Sequence, residues 1–293
     1  MKSTQDLKDT VLPSTWNALT DVGPNATLLQ AQTYRLAFAD PEFLLRRETR
    51  GIRFQLEMLK PDIEQARAGV HHTVVVFGSA RFLSPEQAQA QLQAAQNAGD
   101  PTALARAQQA ARNAEHYAQA REFARRVSRA CQSWPEQERF YICTGGGPGI
   151  MEAANRGAHD CGVPSVALHI SLPGEQSANP YVTPQLNFQF HYFAARKMHF
   201  MMRAKALVAF PGGFGTLDEL FEVLTLVQTQ KAQPVPILLF GSNYWRRLLD
   251  FDVLIEQGTI SKEDLGIFRY VDDPEEAWQH ICDFYKGSPP ISG

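Results

Sequence analysis

The chain lacks the features that would tie it to a membrane, an oxidising compartment or a polyanion. No apolar run approaches the roughly 20 residues of a bilayer-spanning helix. The opening residues, MKSTQDLKDTVLPSTW, hold no continuous hydrophobic stretch of the kind found in a secretory leader. A protein of the cytoplasm with no membrane partner is the expectation. Cysteine is scarce, and the four present (Cys131, Cys143, Cys161 and Cys282) form no CxxC pair and have no histidine at zinc-ligand spacing. They read as free thiols, and no metal is demanded. An excess of one charge is also missing. With 28 basic against 31 acidic residues, a formal net charge of -3, nothing suggests a nucleic-acid partner, so a phosphate ligand would have to be held locally.

Several catalytic signatures are absent as well. No glycine turn is followed by GK[ST], which excludes a Walker-type ATPase, and there is no HExxH and no GxSxG nucleophile elbow. Reading GxGxxG from Gly145 puts its third glycine on Ile150, and no acid closes the following strand to take a ribose hydroxyl. NAD is therefore disfavoured.

What is present is a core-forming composition, 44% hydrophobic over 293 residues, enough for one large or two ordinary domains. Residues 1–27 show no sustained period and read as a loosely ordered arm. From Leu28 to about Ala68 the pattern is helical, with Asp40 before Pro41 as cap and first-turn proline. Residues 1–70 thus read as a helical N-terminal extension, and Arg46, Arg47, Arg50 and Arg53 in it as a solvated or salt-bridged face. Thr73 to Phe77 is a β-branched run ending in Gly78-Ser79-Ala80, a buried strand followed by a tight turn. An Ala- and Gln-rich stretch follows, from Ser84 to Gln132, broken at Gly99-Asp100-Pro101. It reads as a helical hairpin inserted at 84–132, suited to packing or oligomer contact rather than catalysis.

Beyond it, strand-like runs (139–143, 165–170, 186–190, 206–210 and 235–240) alternate with helix-like ones (148–161, 192–203, 216–229, 242–257 and 274–286). This alternation over 71–293 predicts an α/β fold, a parallel sheet with helices on both faces, whose ligand sits beyond the carboxyl ends of the strands. Three strand ends carry glycine turns there: Gly78-Ser79-Ala80-Arg81, Thr144-Gly145-Gly146-Gly147-Pro148-Gly149, and Pro211-Gly212-Gly213-Phe214-Gly215-Thr216. Glycine admits close backbone approach, and a following helix aims N–H groups at an anion, so the three outline a phosphate-sized site.

Thr216-Leu217-Asp218-Glu219 can be read as a capping box, with Thr216 and Glu219 satisfying backbone donors at a helix start. A carboxylate beside a phosphate site otherwise needs a neighbouring cation, which Arg196-Lys197 can supply. Arg196 is the stronger candidate, because its planar fork suits phosphate and keeps its charge. Lys197 divides evenly between the site and a solvated helix face backed by Met198, Met201 and Met202 in the core. Glu152 reads as favouring the dipole of its helix, and His159, His169, His191 and His199 as structural.

The pairing of Ala195-Arg196-Lys197-Met198 with Pro211-Gly212-Gly213-Phe214-Gly215-Thr216-Leu217-Asp218-Glu219 resembles the LOG (lonely guy) phosphoribohydrolases, whose members often carry a lysine decarboxylase label. The resemblance covers roughly Val74 to Tyr285; the extension and the insertion depart from the short members. It implies a Rossmann-like fold and hydrolysis of the N-glycosidic bond of a nucleoside 5'-monophosphate, AMP or an N6-substituted AMP of cytokinin type, to free base and ribose 5-phosphate without a cofactor. It also implies Arg196 and Glu219 as the catalytic pair. Lys197, Gly212, Gly213, Gly215, Thr216, Thr225 and an upstream Glu175 would contact substrate, beside Gly78, Ser79, Gly146 and Gly147 of the other turns. A homodimer or higher homo-oligomer is the implied assembly. A non-catalytic nucleotide-binding or cofactor-carrier protein of the same fold remains open at this point. A decarboxylase is weaker, since no lysine sits in a recognisable pyridoxal phosphate motif.

Overall fold

The structure, a computed structural model, describes Thr33, residues 35–171 and residues 178–285. The expected arm at 1–27 lies outside the described residues. Two compact units are present, one ending at Glu57 and one beginning at Met58. The first carries a 3-10 turn (Ala37–Ala39), helix α1 (Pro41–Leu44) and the start of α2 (Arg50–Arg67). Asp40 caps α1, accepting from the Phe43 N–H at 3.1 Å, with Pro41 in the first turn as expected. The predicted helix is interrupted between α1 and α2, where the Thr49 hydroxyl lies within 3.0 Å of the Phe43, Leu44 and Arg46 carbonyls and has its one proton to share among them. Arg53, expected on a solvated or salt-bridged face, donates to the Arg46 carbonyl at 2.7 Å and to that of Leu44. It satisfies carbonyls that the end of a helix leaves unpaired.

The second unit is built on seven parallel strands: β1 (His72–Phe77), β2 (Phe140–Thr144), β3 (Val166–Ile170), β4 (Asn187–Phe190), β5 (Ala204–Ala209), β6 (Ile237–Phe240) and β7 (Arg269–Val271). Helices α3 (Pro85–Ala98), α4 (Pro101–Cys131), α5 (Ile150–His159), α6 (Phe193–Met202), α7 (Phe214–Gln228), α8 (Ser242–Leu248), α9 (Phe251–Glu256) and α10 (Pro274–Phe284) connect and cover them. The expected helix over 242–257 is two, α8 and α9, because Asp250 starts a new helix by capping the Asp252 N–H. β7 escapes the periodicity because it is three residues long.

Successive side chains of a strand point to opposite faces. Val74 and Val76 of β1 enter one core with Phe123, Val127, Phe140, Ile142, Ile150 and Trp278, drawn from α4, β2, α5 and α10. Phe77 lies against Phe200 of α6, ring centroids 4.8 Å apart. The hairpin is present as expected. Ser84 and Gln87 make a reciprocal capping box at the start of α3, Gly99 turns the chain at φ 67°, and Asp100 caps α4. Alanines 107 and 114 of α4 and 88 and 95 of α3 are buried, so small side chains bring the two helices together.

The strand order is β4-β3-β2-β1-β5-β6-β7. The chain moves outward from β1 to β4, then returns to place β5 on the other side of β1. At such a reversal the connections leave the sheet in opposite directions and open a crevice at the strand ends. The turns after β1, β2 and β5 meet there. Gly149 holds φ 71°, and a Cβ on it would overlap the Ser79 carbonyl, while the Ile150 N–H donates to that same carbonyl at 3.1 Å. Gly149→Ala should therefore lower the unfolding free energy by about 2 kcal/mol or more, from left-handed strain and lost contact between the two turns. Urea denaturation checks this; an unchanged midpoint would show that the two turns are not so coupled.

Candidate active site

The crevice between β1 and β5 is continued by backbone bonds beyond the strands. The Phe210 N–H donates to the Phe77 carbonyl at 2.8 Å, and the Ser79 N–H to the Pro211 carbonyl at 2.9 Å. These bonds hold the first and third glycine turns side by side. Gly212 is required at their contact, since a Cβ there would overlap the Thr216 hydroxyl and press on the Gly78 carbonyl carbon. From the far side the Tyr244 hydroxyl donates to the Gly212 carbonyl at 2.7 Å.

The second turn is held from beneath. The Thr144 hydroxyl accepts from the Gly146 N–H at 2.9 Å and donates to Asn155 Oδ1 at 2.7 Å, and Asn155 donates to Ser165 at 2.9 Å. Asn179 Nδ2 lies 3.0 Å from the Gly146 carbonyl and 3.1 Å from that of Gly147. Gly146 sits at φ 73° directly over the His169 ring, where no Cβ fits. Thr144 and Asn179 act on the turn's backbone atoms, and Asn155 holds both of them through their side chains.

Helix α7 begins at Phe214, with Gly213 as its N-cap residue and, among the described residues, no side chain bonded to its first N–H groups. Thr216 is therefore the third helical residue, and no capping box joins it to Glu219. The uncapped turn of Gly213, Phe214, Gly215 and Thr216 lines a cavity of about 860 Å³ together with Gly78, Ser79, Gly212, Arg196 and Glu219. A helix start with free N–H groups and a positive dipole end favours an anion.

Glu219 is 7% exposed. Burial pushes its carboxyl up from the ordinary 4.5 to about 7; Arg196 and Lys197 pull it down, and Glu222 and Asp218 push it further up. Arg196 leaves α6 with its Nε donating to the Leu168 carbonyl at 2.7 Å and its guanidinium 5.2 Å from the centre of the Phe200 ring. It also lies against Gly145, where a Cβ would come within 2.5 Å of Nη2. Sheet, ring and turn thus fix a permanent cation in the wall of the cavity.

The neighbouring Lys197 is placed differently. Its Nζ lies 2.9 Å from Asp218, which lines the cavity, and 3.1 Å from Glu222, joining α6 to α7, while Lys197 itself is not part of the lining. Met198 and Met202, expected in the core behind it, are about half exposed. Of the other sequence candidates, Gly146 and Gly147 belong to the second turn and are not part of the cavity lining. Thr225 is exposed on α7, its hydroxyl donating to the Phe221 carbonyl at 2.7 Å. Glu175 lies outside the described residues. Glu152 accepts from the Tyr117 hydroxyl at 2.8 Å. Among the described residues no group of three or more His, Cys, Asp or Glu side chains could hold a metal ion.

Sequence reasoning missed a wall of the cavity. Gln109, Asn113 and His116 of α4 line it, as do Phe82, Phe193, Phe214 and Tyr244. The insertion was expected to pack or to contact another copy. Its Ala and Gln content hid three polar residues at spacings of four and three, which share one helix face. That spacing was the available signal.

The family described as "Possible lysine decarboxylase" matches residues 151–281. A rice protein (Oryza sativa subsp. japonica) named a probable cytokinin riboside 5'-monophosphate phosphoribohydrolase is 29% identical over 148 residues, 48% of this chain and 61% of its own length. A cytokinin riboside 5'-monophosphate phosphoribohydrolase of Arabidopsis thaliana is 31% identical over 124 residues, 40% of this chain and 54% of its own length. The chain thus spans little more than half the length of these relatives. Among solved structures, the Moco carrier protein of Chlamydomonas reinhardtii aligns with a TM-score of 0.44 and 16% identity over 74% of this chain and 99% of its own. Among the described residues no helix is long and apolar enough to cross a membrane.

The environment of Glu219 has a stability consequence. With a folded value of about 7 and an ordinary value of 4.5, the native chain keeps a proton that the unfolded chain gives up between the two. Its contribution to stability is complete below the ordinary value and is lost as pH rises through about 7. Glu219→Gln should match the wild type near pH 4 and exceed it near pH 8 by on the order of 3 kcal/mol. Denaturant titrations across this range measure the difference; one that stays constant with pH would place the carboxyl at its ordinary value.

Proposed function

We propose that this chain, whose matched residues support membership of the LOG family, hydrolyses the N-glycosidic bond of a nucleoside 5'-monophosphate. The substrate is AMP or an N6-substituted AMP of cytokinin type, and the products are the free base and ribose 5-phosphate. One observation carries the reading: a buried carboxyl, Glu219, that is half protonated near neutrality stands one helical turn beyond an uncapped helix start in the same cavity as Arg196.

The 5'-phosphate binds the first turn of α7 and the Gly78 and Gly212 backbones. Binding energy far from the reacting bond then orients the sugar. As the bond from C1' to the base nitrogen lengthens, positive charge grows on the ribosyl group, and the Glu219 carboxylate stabilises it. Water adds to C1' and passes a proton to Glu219, while the base departs with the bonding electron pair and takes up a proton. The net change is one water consumed for one base and one ribose 5-phosphate released. A carboxyl near 7 suits this exchange because it both accepts and returns a proton. Arg196 keeps part of the population ionised in spite of burial, and its guanidinium is fixed in the wall of the same cavity as the acid.

The test is to incubate the purified protein with a panel of nucleoside monophosphates and assay base and ribose 5-phosphate together. Arg196→Ala and Glu219→Gln should each lose base release by about 100-fold or more. The wild-type kcat/KM should rise with pH through about 7 as the carboxylate forms. Near wild-type turnover in either variant would remove that residue from the mechanism. Nucleotide binding without base release by the wild type would identify a carrier instead.

A further inference from the structure

The α4 face that lines the cavity has a defined hydrogen-bonding polarity. Arginine can only donate, so the contacts of Arg112 Nε and Nη2 with Gln109 at 3.2 and 2.6 Å identify the Gln109 atom as its oxygen. The Gln109 amide nitrogen then donates to the Asn113 oxygen at 2.9 Å. Asn113 is left with its NH2 group, which has no acceptor among the described residues. One turn on, Gln119 donates its amide nitrogen to the Asp272 carbonyl at 3.4 Å, so its oxygen is the atom 3.2 Å from His116 Nδ1. The proton of His116 is thereby placed on Nδ1, and Nε2 carries a lone pair. Burial lowers the His116 pKa and keeps the ring neutral. The ring also stacks on Phe82 of the cavity, centroids 5.9 Å apart and planes 20° apart.

One donor and one acceptor therefore stand three residues apart on the same helix face, beside an aromatic surface. We propose that the inserted hairpin forms the base-reading wall of the cavity: Asn113 donates to a ring nitrogen of a 6-aminopurine, and His116 Nε2 accepts from its exocyclic amino group. Adenine offers an amino group beside a ring acceptor on both of its edges, and paired donor and acceptor contacts of this kind distinguish adenine from other bases. An N6-monosubstituted adenine keeps the one N–H that His116 needs. The wall rests on the nucleotide reading of the cavity but not on base release.

The test is calorimetric titration of the full chain carrying Glu219→Gln with AMP, with purine riboside 5'-monophosphate, which has hydrogen in place of the amino group, and with ribose 5-phosphate. AMP should bind roughly tenfold more tightly than the analogue. Adding His116→Phe, which keeps the stack on Phe82, should bring that ratio near one. Adding Asn113→Ala should weaken both nucleotides about tenfold, since both keep the ring acceptor, and leave ribose 5-phosphate unchanged. Equal binding of AMP and the analogue overturns the proposal, as does a ratio that survives His116→Phe or a loss on Asn113→Ala that ribose 5-phosphate shares. If this pattern holds while the wild type releases no base from any nucleotide, only the hydrolase reading falls.

Discussion

Withholding one carboxyl from water, next to a helix start that itself attracts negative charge, is the constraint on which this site depends. An ionised Glu219 placed there alone would oppose an incoming phosphate, and a fully neutral one would have no charge to offer a developing cation. Arg196 resolves the conflict. It is held by a carbonyl of β3, the ring of Phe200 and the Gly145 backbone, none of which changes charge. Its field and the burial of Glu219 act in opposite directions, leaving the acid near neutrality. Lys197 contributes by holding Asp218 and Glu222 and fixing α6 against α7.

Sheet topology makes this balance possible. Because β5 returns to lie beside β1, two turns that are more than 130 residues apart in the chain share backbone bonds across one crevice. Glycine is needed at Gly212 and Gly149 for space, since side chains there would separate the turns. The polar residues Thr144, Asn155 and Asn179 play the complementary part, bonding to the second turn so that its backbone is presented in one conformation. Helix α4 joins two tasks that are usually separate. Its second half supplies Phe123, Val127 and Cys131 to the core, while its middle carries Asn113 and His116 to the cavity.

Much of this was legible in the sequence, for identifiable reasons. The glycine turns and β-branched runs marked six of the seven strands within a few residues, because buried parallel strands are short, apolar and sharply ended. Arg196, Glu219 and the turn from Pro211 to Thr216 were also visible, as an unusual concentration of charge and glycine around one strand. The capping-box reading of Thr216 failed because the helix is capped at Gly213, which has no capping side chain, three residues before the first hydrogen-bonding side chain. Lys197 was undecidable because its partners lie 21 and 25 residues away on another helix. The cavity face of α4 was hidden because a helix covered by alanine reads as packing whatever its remaining polar residues do.

The most direct test of the account is the structure of the Glu219→Gln protein with AMP bound. The phosphate is predicted against the N–H groups of Phe214, Gly215 and Thr216, with C1' beside residue 219 and the base towards α4. A nucleotide whose phosphate lies away from the start of α7, or whose glycosidic bond is out of reach of residue 219, would contradict it.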